Sequence, residues 1–287
     1  WHPGDVNQVS RSTSLANISA KFRFRGLSAH AAAAPEQGRS ALDGVEAMNA
    51  MVNLMREHIP AETRIHYVIT AGGKAPNVVP DFAEVYYYAR HSDMRVLDGI
   101  WERIGNASKG AALGTGTQVD MEIVNAVYNI LPNDALADVM QRALDRVGGF
   151  RYTPEEAQFA TEIRKTLTGT VPPLGTEGKV LPPEVGVSSG STDVGDVSWV
   201  VPTVQMSAAT WVPGTPAHSW QAVASGGTSI GAKGMMVAAK TMALTTMELF
   251  TKPEEIERAR AEFAKRVGGF QYTPKVGDRK PPLDYRR

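Results

Sequence analysis

Apolar and polar residues alternate along Ile18–Arg25. Phe22 and Phe24 fall on one side and Lys21, Arg23 and Arg25 on the other, the period-two pattern of a half-buried strand. The period then changes. Over Gly38–Arg56, Ala41, Val45, Met48 and Val52 recur at helical spacing, with Ser40 as the cap and Glu57–Pro60 as the stop. Arg64–Thr70 alternates again, Gly72 and Gly73 supply a turn, and Phe82–Arg90 reads as an aromatic-rich strand. Met94–Ala111 returns to helical spacing at Val96, Ile100, Ile104 and Ala107, and Gln118–Tyr128 is a further strand. Strand, helix, strand, strand, helix, strand is the ferredoxin-like split unit, expected over residues 17–128.

The remainder has another character. Asn133–Val147 and Pro154–Leu167 read as helices, and Gly169–Gly186 as a Pro- and Gly-rich linker. Val200–Ser207 reads as a buried strand and Gly231–Phe250 as a long helix. These pieces suggest part of an α/β sheet, assigned to residues 1–16 and 129–287. The segment RVGGFRYTP at Arg146–Pro154 returns as RVGGFQYTP at Arg266–Pro274. Two copies are too few for a solenoid. A shared helix ending, with a left-handed glycine and an aromatic folding back, explains them.

Composition narrows the class. Of 287 residues, 43 % are hydrophobic and 21 % charged, as in a soluble globular protein. Lys plus Arg and Asp plus Glu are 30 each, so no basic face for nucleic acid is advertised. No apolar run is long enough to span a membrane. The absence of cysteine excludes disulfides and thiolate metal sites and fits the cytoplasm. A chain beginning WHPGD reads as the interior of a longer protein.

Three of the six histidines sit in loop-like surroundings: His2 in WHPGD, His30 in LSAHAAAAP and His218 in GTPAHSW. His30 is flanked by alanines, which leave room for a second molecule. His58, His66 and His91 lie in or beside regular elements and read as structural. GVSSG at Gly186–Gly190 matches the nucleophile-elbow pattern around Ser188, with Asp193 and His218 following in hydrolase order. Its flanking prolines and glycines argue against the strand and helix an elbow needs. GGTSIGAKG at Gly226–Gly234 lacks the spacing of a phosphate loop and reads as a helix start near Ser229. Asn77 and Arg90 lie at the two ends of one turn-and-strand unit.

Taken together, WHPGD, FRFRGLSAHAAAAPEQGRSALD, GGKAPNVVPD, SSGSTDVGDVSW and PGTPAHSW resemble the zinc amidohydrolases of the aminoacylase and carboxypeptidase G type. The resemblance runs over nearly the whole chain. It implies part of an α/β catalytic domain with an inserted ferredoxin-like lid that pairs with its twin in a homodimer. It implies hydrolysis of the amide between an acyl or aroyl group and an amino acid, of the p-aminobenzoyl-glutamate kind, by metal-activated water. His2 and His218 match zinc ligands, with Mn²⁺ or Co²⁺ as alternatives to Zn²⁺. His30 matches the lid histidine that reaches the partner's site. Asn77 and Arg90 match positions that hold the substrate carboxylate. Asp193 and Asp196 fall near an acidic position without a matched role. The family's remaining ligands and its Glu-Glu pair have no counterpart in these residues, so the chain alone is expected to be inactive, completed by further polypeptide or a partner subunit. Two other readings stand beside this one: a non-catalytic dimerisation or binding module, and a serine hydrolase using Ser188.

Overall fold

The structure is a computed structural model that describes residues 1–278, Lys280 and Leu283. Two short strands, β1 (His2–Gly4) and β2 (Asn7–Ser10), open the chain. There follow β3 (Ala16–Arg25), α1 (Ala41–Met55), β4 (Arg64–Ala71), β5 (Phe82–His91), α2 (Met94–Thr115) and β6 (Gln118–Val127). The rest comprises α3 (Asp134–Val147), α4 (Pro154–Arg164), β7 (Val180–Glu184), α5 (Val194–Ser198), β8 (Gln205–Ala209), α6 (Trp220–Gly226), α7 (Ser229–Thr251) and α8 (Pro253–Val267). Contacts divide the chain into two units. One consists of Trp1–Thr13, Leu131–Gly186 and Val197–Gln271. The other consists of Ser14–Ile130, Val187–Asp196 and the described residues from Tyr272 on.

The second unit holds an antiparallel sheet of order β4-β5-β3-β6, the ferredoxin-like arrangement expected from the chain pattern. Alternation decides its two faces. Ile18, Ala20, Phe22 and Phe24 of β3 and Ala83, Val85, Tyr87 and Ala89 of β5 are buried against α1 and α2. Phe22 meets Tyr87 edge-on at 5.7 Å and Trp101 at 6.1 Å. The opposite face carries Lys21, Arg23, Glu84, Tyr86, Tyr88 and Arg90. There Arg23 bonds Glu84 at 2.7 Å and Glu122 at 2.6 Å, and Thr70 donates to Glu84 at 2.7 Å. Burial pushes the Glu84 carboxyl up, but bonds from Thr70, Arg23 and Lys21 outweigh it and hold the group below its usual range. Ser40 caps α1 as expected, accepting from the Asp43 N–H at 3.2 Å. Helix α2 runs on to Thr115 and ends on left-handed Gly116.

The first unit holds a mixed sheet of order β1-β8-β2-β7. Its core joins Val9, Met206 and Ala208 from the strands to Ala137, Met140 and Leu144 of α3 and Val237 and Ala238 of α7. Helix α7 approaches β8 so closely at Gly234 that a Cβ there would collide with the Ala209 carbonyl. The Gly226–Gly234 segment is therefore a packing motif: Thr228 caps α7, one residue before the expected Ser229, accepting from the Ile230 N–H at 3.2 Å. Both repeat copies end a helix at a glycine of positive φ, Gly148 and Gly268. Phe150 then packs on the core, and Phe270 packs edge-on to Trp199 at 4.9 Å.

Three expectations change. The Val200–Ser207 strand begins later, at Gln205, because Val200 and Val201 still bond back to Val197 as the end of the α5 turn. The Gly169–Gly186 linker contains strand β7, whose Pro182 and Pro183 are tolerated because β7 is a sheet edge. Helix α8 is an addition; only Glu255 and Ala259 along it are buried, so its apolar stripe is thin.

Candidate active site

The loop after β3 carries His30. It is zipped to the loop before β5 by backbone bonds from Val79 N–H to Ala29 O (3.0 Å) and from Ala31 N–H to Asn77 O (3.0 Å), and His30 and Val78 form an isolated bridge. The Ser28 hydroxyl donates to Val79 O at 3.0 Å. Gly26 fixes the root of this loop: its N–H bonds Asp81 O, and a Cβ there would collide with the Arg39 carbonyl. Two segments distant in sequence thus bring His30 and Asn77 side by side.

The His30 ring is exposed, yet its orientation is set. Nδ1 accepts from the Ala32 N–H at 3.2 Å and the Ala33 N–H at 3.1 Å. A nitrogen receiving two N–H donors cannot carry a proton itself, so the neutral ring keeps its proton on Nε2. The small alanines let the backbone turn under the ring. The result is an N–H donor presented outward, suited to an oxygen that gains negative charge.

Arg90 lies elsewhere. It stands near the far end of β5, eight residues beyond Phe82, a span of roughly 27 Å at the strand rise. Within one chain, one carboxylate cannot touch both Asn77 and Arg90. A shared grip on it would need two copies. Arg90 sits over the Tyr88 ring at 5.6 Å, and its Nε is buried without a hydrogen-bond partner among the described residues.

In the first unit, His218 lines a mostly apolar cavity of about 970 Å³ with Trp1, Pro3, Trp211, Trp220 and Met235. Its φ of 58° makes it the one non-glycine residue of positive φ among the described residues. Such a backbone, just before the Ser219 cap of α6, is held by its surroundings and marks a constrained loop. His2 is exposed on β1, where Nδ1 lies 2.6 Å from Pro3 O. Strand alternation turns His2 away from the side that Trp1 and Pro3 give to the cavity. Among the described residues, no group of three or more His, Cys, Asp or Glu side chains is placed to hold a metal ion. Two imidazoles fall short of the three or four ligands of a zinc site, so these residues do not by themselves fit the dinuclear centre.

Asp196, Ser188 and His91 are engaged by neighbouring groups. Asp196 accepts from Tyr272 O–H at 3.0 Å and from Tyr128 N–H at 3.2 Å. Burial raises its pKa, and those two bonds only partly oppose the shift. Asp193 is exposed. Ser188 lies in an irregular loop with no helix until Val194, and its hydroxyl accepts from Gly190 N–H at 3.4 Å, so the elbow geometry is missing. His91 is buried, with Nδ1 accepting from Asp93 N–H at 3.0 Å and Nε2 3.3 Å from Glu62. Sequence reasoning missed the tryptophan lining around His218. Its signal was present in WHPGD and TWVPGTPAHSW, which together supply Trp1, Trp211 and Trp220.

Residues 16–115 match the M20 peptidase dimerisation domain. Over 87 % of its length the chain is 41 % identical to one of the subunits of p-aminobenzoyl-glutamate hydrolase of Escherichia coli K12, covering 57 % of that protein. The chain carries the dimerisation domain of the M20 peptidases. Mouse Xaa-Arg dipeptidase is 28 % identical over 91 % of this chain, which covers 54 % of it. The chain thus spans a little over half the length of these relatives. The fold is also that of the aminobenzoyl-glutamate utilization protein of Klebsiella pneumoniae, with TM-score 0.54 and 20 % identity over 85 % of this chain and 52 % of that one. Aminopeptidase PepT of Bacillus cereus shares it at TM-score 0.53 and 16 % identity, over 90 % of this chain and 56 % of that one. No helix among the described residues is long and apolar enough to cross a membrane.

Proposed function

We propose that this chain is the lid-bearing part of an amidohydrolase that cleaves the amide between an acyl or aroyl group and an amino acid. The observation that carries the reading is the His30 loop, which holds a ring N–H outward by anchoring the ring's other nitrogen on two backbone amides. That donor would meet the scissile carbonyl oxygen as charge develops on it, and the Asn77 amide alongside would help orient the substrate. Arg90, about 27 Å along the sheet from the loop, would hold the amino-acid carboxylate in a different copy's site. Each site would then draw on two chains.

A homodimer suits that arrangement. β4 is an edge strand with Val68 and Ile69 exposed, beside α1 with Leu54 and Met51 exposed, a surface that invites a second copy. His2 and His218, which the described residues do not bring together on one side of β1, are the candidates this chain offers to a metal centre, Zn²⁺ or alternatively Mn²⁺ or Co²⁺, whose assembly would need further polypeptide or a partner subunit. The relatives named as p-aminobenzoyl-glutamate hydrolase subunits favour p-aminobenzoyl-glutamate as substrate and leave room for a second kind of subunit. A cytoplasmic setting fits the cysteine-free composition.

The test is p-aminobenzoate release from p-aminobenzoyl-glutamate by the complete enzyme carrying this chain. Activity should vanish after chelation and return with Zn²⁺, Mn²⁺ or Co²⁺. Turnover that survives exhaustive chelation would remove the metal from the account, and an enzyme inert to every N-acyl amino acid would remove the function. A second reading, a non-catalytic dimerisation module, draws on the matched model being a dimerisation domain. Two metal ions per chain with turnover would defeat it.

A further inference from the structure

Arg90 is directly paired across the sheet with another arginine. Arg64 of β4 is its register partner, so both side chains rise from the same face, the one that α1 and α2 leave uncovered. Cβ atoms of such partners lie about 5 Å apart, and like charges at that spacing oppose folding. The usual remedy is a carboxylate between them, and the neighbouring acids are engaged elsewhere. Glu62 lies against His91 Nε2 and feels Arg64 only as the weakest of the influences that lower its pKa, without a direct ion pair. Asp93 is bound by Arg95 at 2.6 Å, and Glu84 is held by Lys21, Arg23 and Thr70. Neither Arg64 nor Arg90 has an ion pair among the described residues.

Both guanidiniums are nevertheless fixed. Arg64 Nη1 donates to Ala61 O at 2.9 Å and Thr63 O at 3.0 Å, which leaves its Nε and Nη2 free. Arg90 rests on Tyr88, with Nε buried and unsatisfied. On the other side of Arg90, the Asn17 amide donates to Ala89 O at 3.2 Å and supplies no counter-charge. His66, next along β4 and paired with Tyr88, extends the same row and adds no acid. Two anchored forks without a directly paired carboxylate among the described residues are arranged for an anion of two carboxylates.

We propose that Arg64 is a specificity residue: with Arg90 it forms a paired-arginine site for a dicarboxylic amino acid, Arg90 taking the α-carboxylate and Arg64 the side-chain carboxylate. The identity of the ligand rests on the amidohydrolase reading above; the arginine pair does not. The site favours acidic leaving groups over their amides, because only a carboxylate accepts both N–H bonds of a fork.

The experiment uses this 287-residue chain, titrated at low salt with N-acetyl-L-glutamate and N-acetyl-L-glutamine and followed by amide NMR shifts. The wild type should bind the glutamate compound about tenfold more tightly, the size of one charged hydrogen-bond pair at a partly exposed site. Arg64→Gln should bring the ratio to about one and leave glutamine binding unchanged, while Arg90→Gln should weaken both. Absence of binding by the wild type, a wild-type ratio near one, or a preference that survives Arg64→Gln would each overturn the proposal. A chain with the preference whose complete enzyme cleaves no amide would keep the arginine pair and sink the amidohydrolase reading. Cleavage by an enzyme whose chain shows no preference would do the reverse.

Discussion

Replacing His30 by alanine is expected to lower kcat for amide hydrolysis about 10²- to 10³-fold, the usual loss on removing one donor to a developing oxyanion. KM should change much less, because the bond strengthens only as charge builds on the oxygen. The fold should not suffer. His30 is exposed, and the Ala32 and Ala33 N–H groups it releases can turn to water. The loop itself is held by backbone bonds through Ala29, Ala31, Asn77 and Val79, which the substitution leaves intact. The thermal midpoint should therefore stay near the wild-type value, as for other exposed positions. A variant with unchanged kcat, or one whose loss is all in KM, contradicts the role given to His30.

Phe22→Ala should have the largest effect on stability. Phe22 has no exposed surface and lies on β3, an interior strand of its sheet. It meets Tyr87 edge-on at 85° and touches Trp101 of α2. Truncation removes both aromatic contacts and leaves a cavity between sheet and helix. Such changes cost about 3–5 kcal/mol, a large part of the roughly 5–15 kcal/mol that holds a domain folded. Urea denaturation followed by circular dichroism should show the transition of this unit moved to clearly lower urea. A midpoint equal to the wild type would mean that the Phe22 cluster is not the keystone assigned here.

The ferredoxin-like unit was legible in the chain because each of its elements has a clear period. Lys21, Arg23 and Arg25 mark the polar side of β3, and Ser40 marks the start of α1 within one residue. The other sheet was legible only in part. β1 and β2 are three and four residues long, too short to show a period. They become strands through partners far along the chain, as with Asn7 and Val180. The Gly226–Gly234 motif could be read as a helix start but not as the place where α7 and β8 touch, since that requires the fold.

The candidate site divides in the same way. Asn77 and Arg90 looked locally like a turn residue and a strand end, and only the family resemblance singled them out, whereas His30 and His218 stood out from their local surroundings. The adjacency of His30 to Asn77 did not, because it is made by hydrogen bonds between two loops. Nor did the distance separating Asn77 from Arg90, which a strand converts from thirteen sequence positions into most of a sheet's length. Arg64 carried no local signal at all. It looked like the first residue of a strand, and only the β4–β5 register sets it opposite Arg90.

The claim that each site is built from two chains is open to one direct measurement. His30→Ala and Arg90→Ala enzymes, each nearly inactive alone, are dissociated, mixed in equal amounts and reassociated. If His30 and Arg90 serve one site from different copies, every mixed dimer regains one intact site. About half of the dimers formed at random are mixed, so activity should return to about one quarter of the wild-type value. Activity that stays at the level of the separate variants, with mixed dimers shown to have formed, would mean that His30 and Arg90 act from the same chain or not at all.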